Sequence, residues 1–160
     1  MKLIIATHNQ HKVEEFSRIL TPLGIEIAEA IISEAEETGV TFAENAYIKA
    51  KSACLETGLP AIADDSGLCV DFLHGEPGIY SARYAAPGFR KAVLLEKMRN
   101  VPQELRTAHF VSAISCVFPN GDVLSAQGEC TGKITCELRG ENGFGYDPIF
   151  AVGEKTFGQM

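Results

Sequence analysis

The sequence predicts an α/β fold built on a mixed sheet, and two observations lead there. Segments with apolar residues at helical spacing precede and interrupt segments rich in strand formers. One strand pair is antiparallel: Thr107–Phe118 runs into Pro119-Asn120-Gly121-Asp122, an Asn-Gly hairpin signal, and Val123–Thr131 returns. A purely parallel sheet is thereby excluded.

The elements follow in order. Lys2–Ala6 reads as a short buried strand. From Gln10 to Leu20 and just beyond, Val13, Phe16, Leu20 and Leu23 recur at helical spacing, while Glu14, Glu15 and Arg18 fall on the other side; Pro22 and Gly24 end the helix. Ile25–Ile32 reads as a second strand, and Ser33–Gly39 as an acidic loop with Glu34, Glu36 and Glu37. Thr41 opens the next helix, where Ala43, Ala46, Ala50 and Ala53 favour the helix and Phe42, Tyr47 and Leu55 supply bulk; Gly58-Leu59-Pro60 stops it. Ala61–Asp64 is a short strand, Asp65-Ser66-Gly67 a turn, and Leu68–Phe72 extended again. His74–Gly88 is a Gly- and Pro-rich loop, and Phe89–Arg99 a helix. After the hairpin, Lys133–Leu138 reads as a further strand and Arg139–Pro148 as a glycine-rich loop.

The bulk properties narrow the function. At 160 residues, 46% hydrophobic and 22% charged, the chain suits one domain with one main core. No apolar run approaches the roughly 20 residues of a membrane span, and Met1–Ala6 reads as a strand, not an export signal. The five cysteines include no C-x-x-C pair, which points to free thiols in a reducing cytoplasm. A net charge of −7 argues against general nucleic-acid binding, but a helix start, a few lysines and a metal ion can still hold one anionic ligand.

Four segments carry candidate chemistry. Thr7-His8-Asn9-Gln10-His11-Lys12 lies between a strand and a helix start, where unpaired backbone N–H groups, Thr7, Asn9 and Lys12 could cradle phosphates; a plain helix cap explains the same residues. Thr41-Phe42-Ala43-Glu44 fits a capping box, so Glu44 is either a cap or a magnesium ligand. Asp64-Asp65-Ser66-Gly67 places two acids after an apolar strand, suited to Mg²⁺ and a water nucleophile if the turn brings both to one mouth. An Asx-turn is the plainer reading, and the residues leave open which acid would take a proton. In Gly143-Phe144-Gly145-Tyr146-Asp147-Pro148, an aromatic could lie against a purine and Asp147 could accept from base or ribose, or the aromatics simply pack into the core.

Their order is more telling than any one of them. Thr7-x-Asn9-x-x-Lys12, Thr41-Phe42-x-Glu44-Asn45-Ala46-x-Ile48-Lys49-Ala50, Asp64-Asp65-Ser66-Gly67-Leu68, Pro77-Gly78-Ile79-Tyr80-Ser81-Ala82-Arg83-Tyr84 and Gly143-Phe144-Gly145-Tyr146-Asp147-Pro148 together resemble the inosine triphosphate pyrophosphatase family, from residue 2 onward. The resemblance implies an elongated mixed sheet flanked by helices, forming two lobes around a central nucleotide cleft. It implies a cytoplasmic homodimer that uses Mg²⁺ to hydrolyse inosine, deoxyinosine and xanthosine triphosphates to monophosphate and pyrophosphate, with no nucleic-acid or membrane partner. By that resemblance Thr7, His8, Asn9, Gln10, His11 and Lys12 hold the triphosphate, Glu44 and Asp65 bind Mg²⁺, and Asp65 accepts the proton of the attacking water. Ser66 contacts substrate, Phe144, Gly145, Tyr146 and Asp147 enclose the base, and Lys49 and Asp64 support the cleft.

Two departures stand out. Ala85-Ala86-Pro87-Gly88 is shorter than the family's polar loop at that place. The sequence also ends at Met160, before the lysine and Ser-His-Arg stretch with which the family reads the oxygen at purine C6, so the expectation is a single domain, 1–160, lacking that segment. Lys155 does not stand in for it. Weaker discrimination of inosine from adenosine nucleotides would follow. The rival expectations are a nucleotide binder with impaired turnover, a pyrophosphatase for damaged pyrimidine nucleotides, and a flavodoxin-like phosphate binder.

Overall fold

The computed structural model describes residues 1–160. Seven strands form one mixed sheet: β1 (Lys2–Ile5), β2 (Glu26–Ile27), β3 (Ala61–Val70), β4 (Thr107–Val117), β5 (Val123–Ile134), β6 (Phe150–Val152) and β7 (Lys155–Thr156), in the order β2-β1-β3-β4-β5-β6-β7. The helices are α1 (Gln10–Leu20), α2 (Phe42–Thr57) and α3 (Arg90–Lys97). The chain divides into two compact units, Met1–Asp65 with Ser112–Gln127 and Ser66–Val111 with Gly128–Met160. The α/β class and the mixed sheet are as the sequence predicts.

In the first unit, β1 is apolar from Leu3 onward and pairs in parallel with β2 on one side and β3 on the other, as Lys2↔Glu26 and Ile4↔Ala61. Its buried residues pack under α2. Ala50, Ala53 and Cys54 of the helix meet Ile4, Ala6, Ala61, Ala63 and Val117. Small side chains at helical spacing let the helix axis come close to the sheet. Gly58, at φ 70, ends α2 in the left-handed conformation that glycine adopts without strain.

The second unit has the larger apolar core, with Leu68, Val70, Leu94, Met98, Ile134, Ile149 and Phe150 among its buried members. Phe110 stands edge-on to Phe150 at 4.6 Å, and Phe157 lies 5.0 Å from Phe150. Arg106 is 1% exposed. Its guanidinium donates to the carbonyls of Ile134 (2.8 Å), Thr135 (2.7 Å), Val101 (3.2 Å) and Met98, so carbonyl dipoles, not a carboxylate, balance the charge.

Several elements differ from expectation, each for a physical reason. The predicted strand Ile25–Ile32 shrinks to two residues, because the register with four-residue β1 runs out after Leu3↔Ile27 and Ile31 is fully exposed. The predicted turn at Asp65-Ser66-Gly67 is absent: β3 runs unbroken from Ala61 to Val70, and burial of Gly67–Val70 within the sheet overrides local turn chemistry. The separate strand at Lys133–Leu138 is absent as well; β5 continues through Gly132 to Ile134. A Cβ on Gly132 would stand 2.4 Å from the Ala151 carbonyl, so this glycine permits a close neighbour instead of breaking the strand. β6 and β7, an antiparallel pair paired with β5 through Ile134↔Phe150, were not anticipated. All five cysteines are free, and no helix is long and apolar enough to cross a membrane.

Candidate active site

Asn9 caps α1, its Oδ1 accepting from the backbone N–H of His11 (3.0 Å) and Lys12 (3.4 Å), and Thr7 Oγ1 accepts from Asn9 N–H at 3.1 Å. The capping reading of this segment therefore holds, and the same residues also line a pocket. Thr7, His8, Asn9 and Lys12 face Glu37 and Lys49 around a hollow of about 210 Å³. Gln10 and His11 are exposed; the Gln10 amide donates to Glu14 at 3.4 Å. A larger hollow, about 450 Å³, is lined in the second unit by Glu96, Arg99, Arg106 and Cys136 and includes none of the predicted site residues.

Two acids and two lysines set the electrostatics of the pocket. Asp64 and Asp65 are 8% and 6% exposed on β3. Successive side chains of a strand point to opposite sides, and each acid has its own lysine. Lys12 Nζ lies 3.1 Å from Asp64 Oδ2, and Lys49 Nζ lies 3.8 Å from Asp65 Oδ1 and 3.8 Å from Glu37 Oε1. The remaining oxygens, Asp64 Oδ1 and Asp65 Oδ2, are buried without a hydrogen-bond partner. Burial pushes the Asp65 carboxyl up to about 6; Lys49 pulls it down, Glu37 raises it further, and Asn45 and Lys12 lower it. A carboxylate poised near neutrality can take a proton at physiological pH.

Glu44 does structural work. Thr41 Oγ1 accepts from Glu44 N–H at 3.1 Å, and Glu44 Oε2 accepts from Val40 N–H at 2.7 Å, so the carboxylate reaches one residue further back than a capping box requires. No three His, Cys, Asp or Glu side chains converge as a metal cage. Mg²⁺ needs none: it is held by one or two carboxylates together with waters and substrate phosphates. The unpaired oxygen of Asp65 fits such a cation, being hard, anionic and otherwise unsatisfied.

Asn45, a motif residue to which sequence analysis assigns no role, adjoins the acids of the site. It is fully buried in α2, its Oδ1 accepts from Gly39 N–H at 2.8 Å, and its amide acts on Asp65. The available signal was a residue of modest helix propensity in the buried stripe of Phe42, Ala46, Ala50 and Ala53.

The remaining motif residues lie in the second unit. Ser66 is exposed on β3. Tyr146 is 5% exposed and belongs to the core; its hydroxyl donates to the Ser81 carbonyl at 2.8 Å, and burial pushes its pKa up to about 12. Phe144 is 45% exposed, so it is the aromatic of the loop that a base can reach. Asp147 Oδ2 accepts from Phe144 N–H at 3.0 Å, and Gly143 leaves room for it: a Cβ there would stand 2.0 Å from that oxygen. Ser81, a motif residue with no role assigned from the sequence, is buried; its hydroxyl accepts from Leu68 N–H and donates to the Gly78 carbonyl.

Comparison with known proteins gives the same answer by sequence and by structure. The chain is 50% identical to a dITP/XTP pyrophosphatase of Vibrio parahaemolyticus over 96% of its own length and 81% of that relative's. The solved HAM1 protein of Coxiella burnetii superposes with a TM-score of 0.89 at 37% identity, covering all of this chain and 87% of that one. A solved nucleoside-triphosphatase, dITP/XTP pyrophosphatase, from Mycobacterium abscessus gives 0.84 at 39%, covering all of this chain and 89% of that one. The pattern of the Ham1 family matches residues 3–160, and the chain belongs to the Ham1 family.

Proposed function

We propose that this chain hydrolyses unwanted purine nucleoside triphosphates, namely dITP, XTP and ITP, between the α and β phosphates, releasing monophosphate and pyrophosphate. The names of its relatives support the substrate class. One observation carries the chemistry: beside a lysine-lined pocket at the start of α1, two buried carboxylates each keep an unpaired oxygen.

In this reading Asn9 and the N-terminal N–H groups of α1 orient the triphosphate, and Lys12 balances charge on the departing pyrophosphate. Asp65 accepts the proton of the attacking water, and its elevated pKa suits that role. Asp65 and Glu44 would hold Mg²⁺, which when bound would neutralise charge on the phosphate oxygens, while Asp64 stays paired with Lys12. Phe144 lies against the purine, with Asp147 as an acceptor. Ser66 contacts substrate, and the protein works as a homodimer in the cytoplasm.

The test is pyrophosphate release from dITP, XTP, ITP, GTP and ATP, each with Mg²⁺ or EDTA, beside Asp65→Asn. Metal-dependent release favouring dITP and XTP, reduced about 100- to 10,000-fold in the variant, is the expected result. Nucleotide binding without release from any of the five would overturn it in favour of a non-catalytic binder. Sedimentation of the same preparation at twice the 17.3 kDa chain mass is expected for the dimer.

A further inference from the structure

Asn45 is the only buried polar residue of α2, and its two ends have different surroundings. Oδ1 accepts from Gly39 N–H at 2.8 Å. Gly39 comes this close only because it lacks a side chain: a Cβ would stand 2.6 Å from Asn45 Oδ1 and 2.7 Å from Glu44 Cβ. Nδ2 is buried without a partner of hydrogen-bonding geometry, and Asp65, on which this amide acts, has an equally unpaired Oδ2. Leaving a buried donor and a buried acceptor both unsatisfied is costly, so these two groups have reason to stay opposed.

Lys49 follows Asn45 by four residues and shares its helix face. Its ammonium lies 3.8 Å from Asp65 and 3.8 Å from Glu37, which comes two residues before Gly39. The segment that brings Glu37 to Lys49 is thus the segment that Asn45 ties down.

We propose that Asn45 is a positioning residue for Asp65: Oδ1 holds the Glu37–Gly39 segment, Nδ2 orients the Asp65 carboxylate, and Lys49 is kept shared between two acids. Without the tie, Glu37 is released and Lys49 closes on Asp65, turning the carboxylate away from the orientation in which it takes the proton. The inference rests on the reading of Asp65 as proton acceptor.

Two variants test it without touching a charged group. Gly39→Ala pushes the segment off Asn45, and Asn45→Leu removes both ends of the tie while keeping the branched outline of the side chain. Each is expected to lower kcat about 10- to 100-fold, the order expected when a catalytic group is misplaced by about 1 Å, with KM within about threefold of the parent. The double variant should be no slower than Asn45→Leu alone, since both changes cut one link. Rates are taken per folded molecule, with thermal melts alongside, so that a merely structural role would appear as a lower Tm at unchanged kcat. Wild-type kcat in Asn45→Leu, or losses that multiply in the double variant, would overturn the proposal. Asp65→Asn is assayed in parallel. If it is inactive while Asn45→Leu is fully active, only the positioning role falls; if it is active, the proton-acceptor reading falls and this inference with it.

Discussion

In the second unit, the guanidinium of Arg106 is 1% exposed and donates to four carbonyls; in the first, Asp65 is 6% exposed and one of its oxygens meets no donor. Both are charges taken from water, at a cost of several kcal/mol per ion unless the surroundings replace the lost solvation. Around Arg106 they do, with the end of α3 and the end of β5 supplying the acceptors. Around Asp65 they do so only in part, and the carboxyl responds by holding its proton up to about pH 6. A satisfied buried charge fixes a structure, whereas an unsatisfied one is kept for a ligand or a reaction.

Three substitutions can break or sharpen this contrast. Arg106→Ala should have the largest effect, destabilising the protein by about 3–5 kcal/mol, since it leaves several buried carbonyls unpaired and opens a void. Urea denaturation measures it, and a loss under 1 kcal/mol would mean that the carbonyls find other donors.

Asp65→Asn should act in the opposite direction. The fold raises this carboxyl from 3.8 to about 6, so the folded state favours the protonated form. The resulting penalty is absent below about pH 4, grows as pH rises to 6, and is fully present above that. A shift of about two units corresponds to about 3 kcal/mol. In EDTA, the stability of Asp65→Asn relative to the parent should therefore increase by about that amount between pH 4 and pH 7.5. A pH-independent difference would show that Asp65 is no more strained than an ordinary surface acid.

Tyr146→Phe should have the smallest effect, a loss of about 0.5–1.5 kcal/mol for the bond to the Ser81 carbonyl. Activity per folded molecule should not change, because the ring belongs to the core. A fall in kcat or a rise in KM would return Tyr146 to the substrate side.

The sequence was most legible where local chemistry and burial agree. α1 runs from Gln10 to Leu20 as its periodicity indicates, and α2 starts after the Thr41 cap and stops at Gly58. It was least legible where sheet pairing decides. Asp65-Ser66-Gly67 has turn chemistry yet lies in mid-strand, and three-residue β6 depends on pairing with the end of β5. Thr7, His8, Asn9, Lys12 and Lys49 line one pocket, but the network of contacts around them was not visible. Glu37 looked like one of several loop acids and Asn45 like a helix residue among alanines. What sets them apart is their contacts with Gly39 and Lys49, which sequence order does not reveal.

The path of the chain has a consequence for biosynthesis. The unit that holds the two acids also requires Ser112–Gln127, a segment that follows Asp65 only after most of the other unit has been made. At about 5–20 residues per second, translation from Asp65 to Gln127 takes roughly 3–12 s. During that interval the buried stripe of α2 and the inner residues of β1 and β3 lack part of their final cover. No contiguous fragment ending before Gln127 contains the complete unit, so a nascent or prematurely terminated chain presents apolar surface that folding helpers and proteases can recognise.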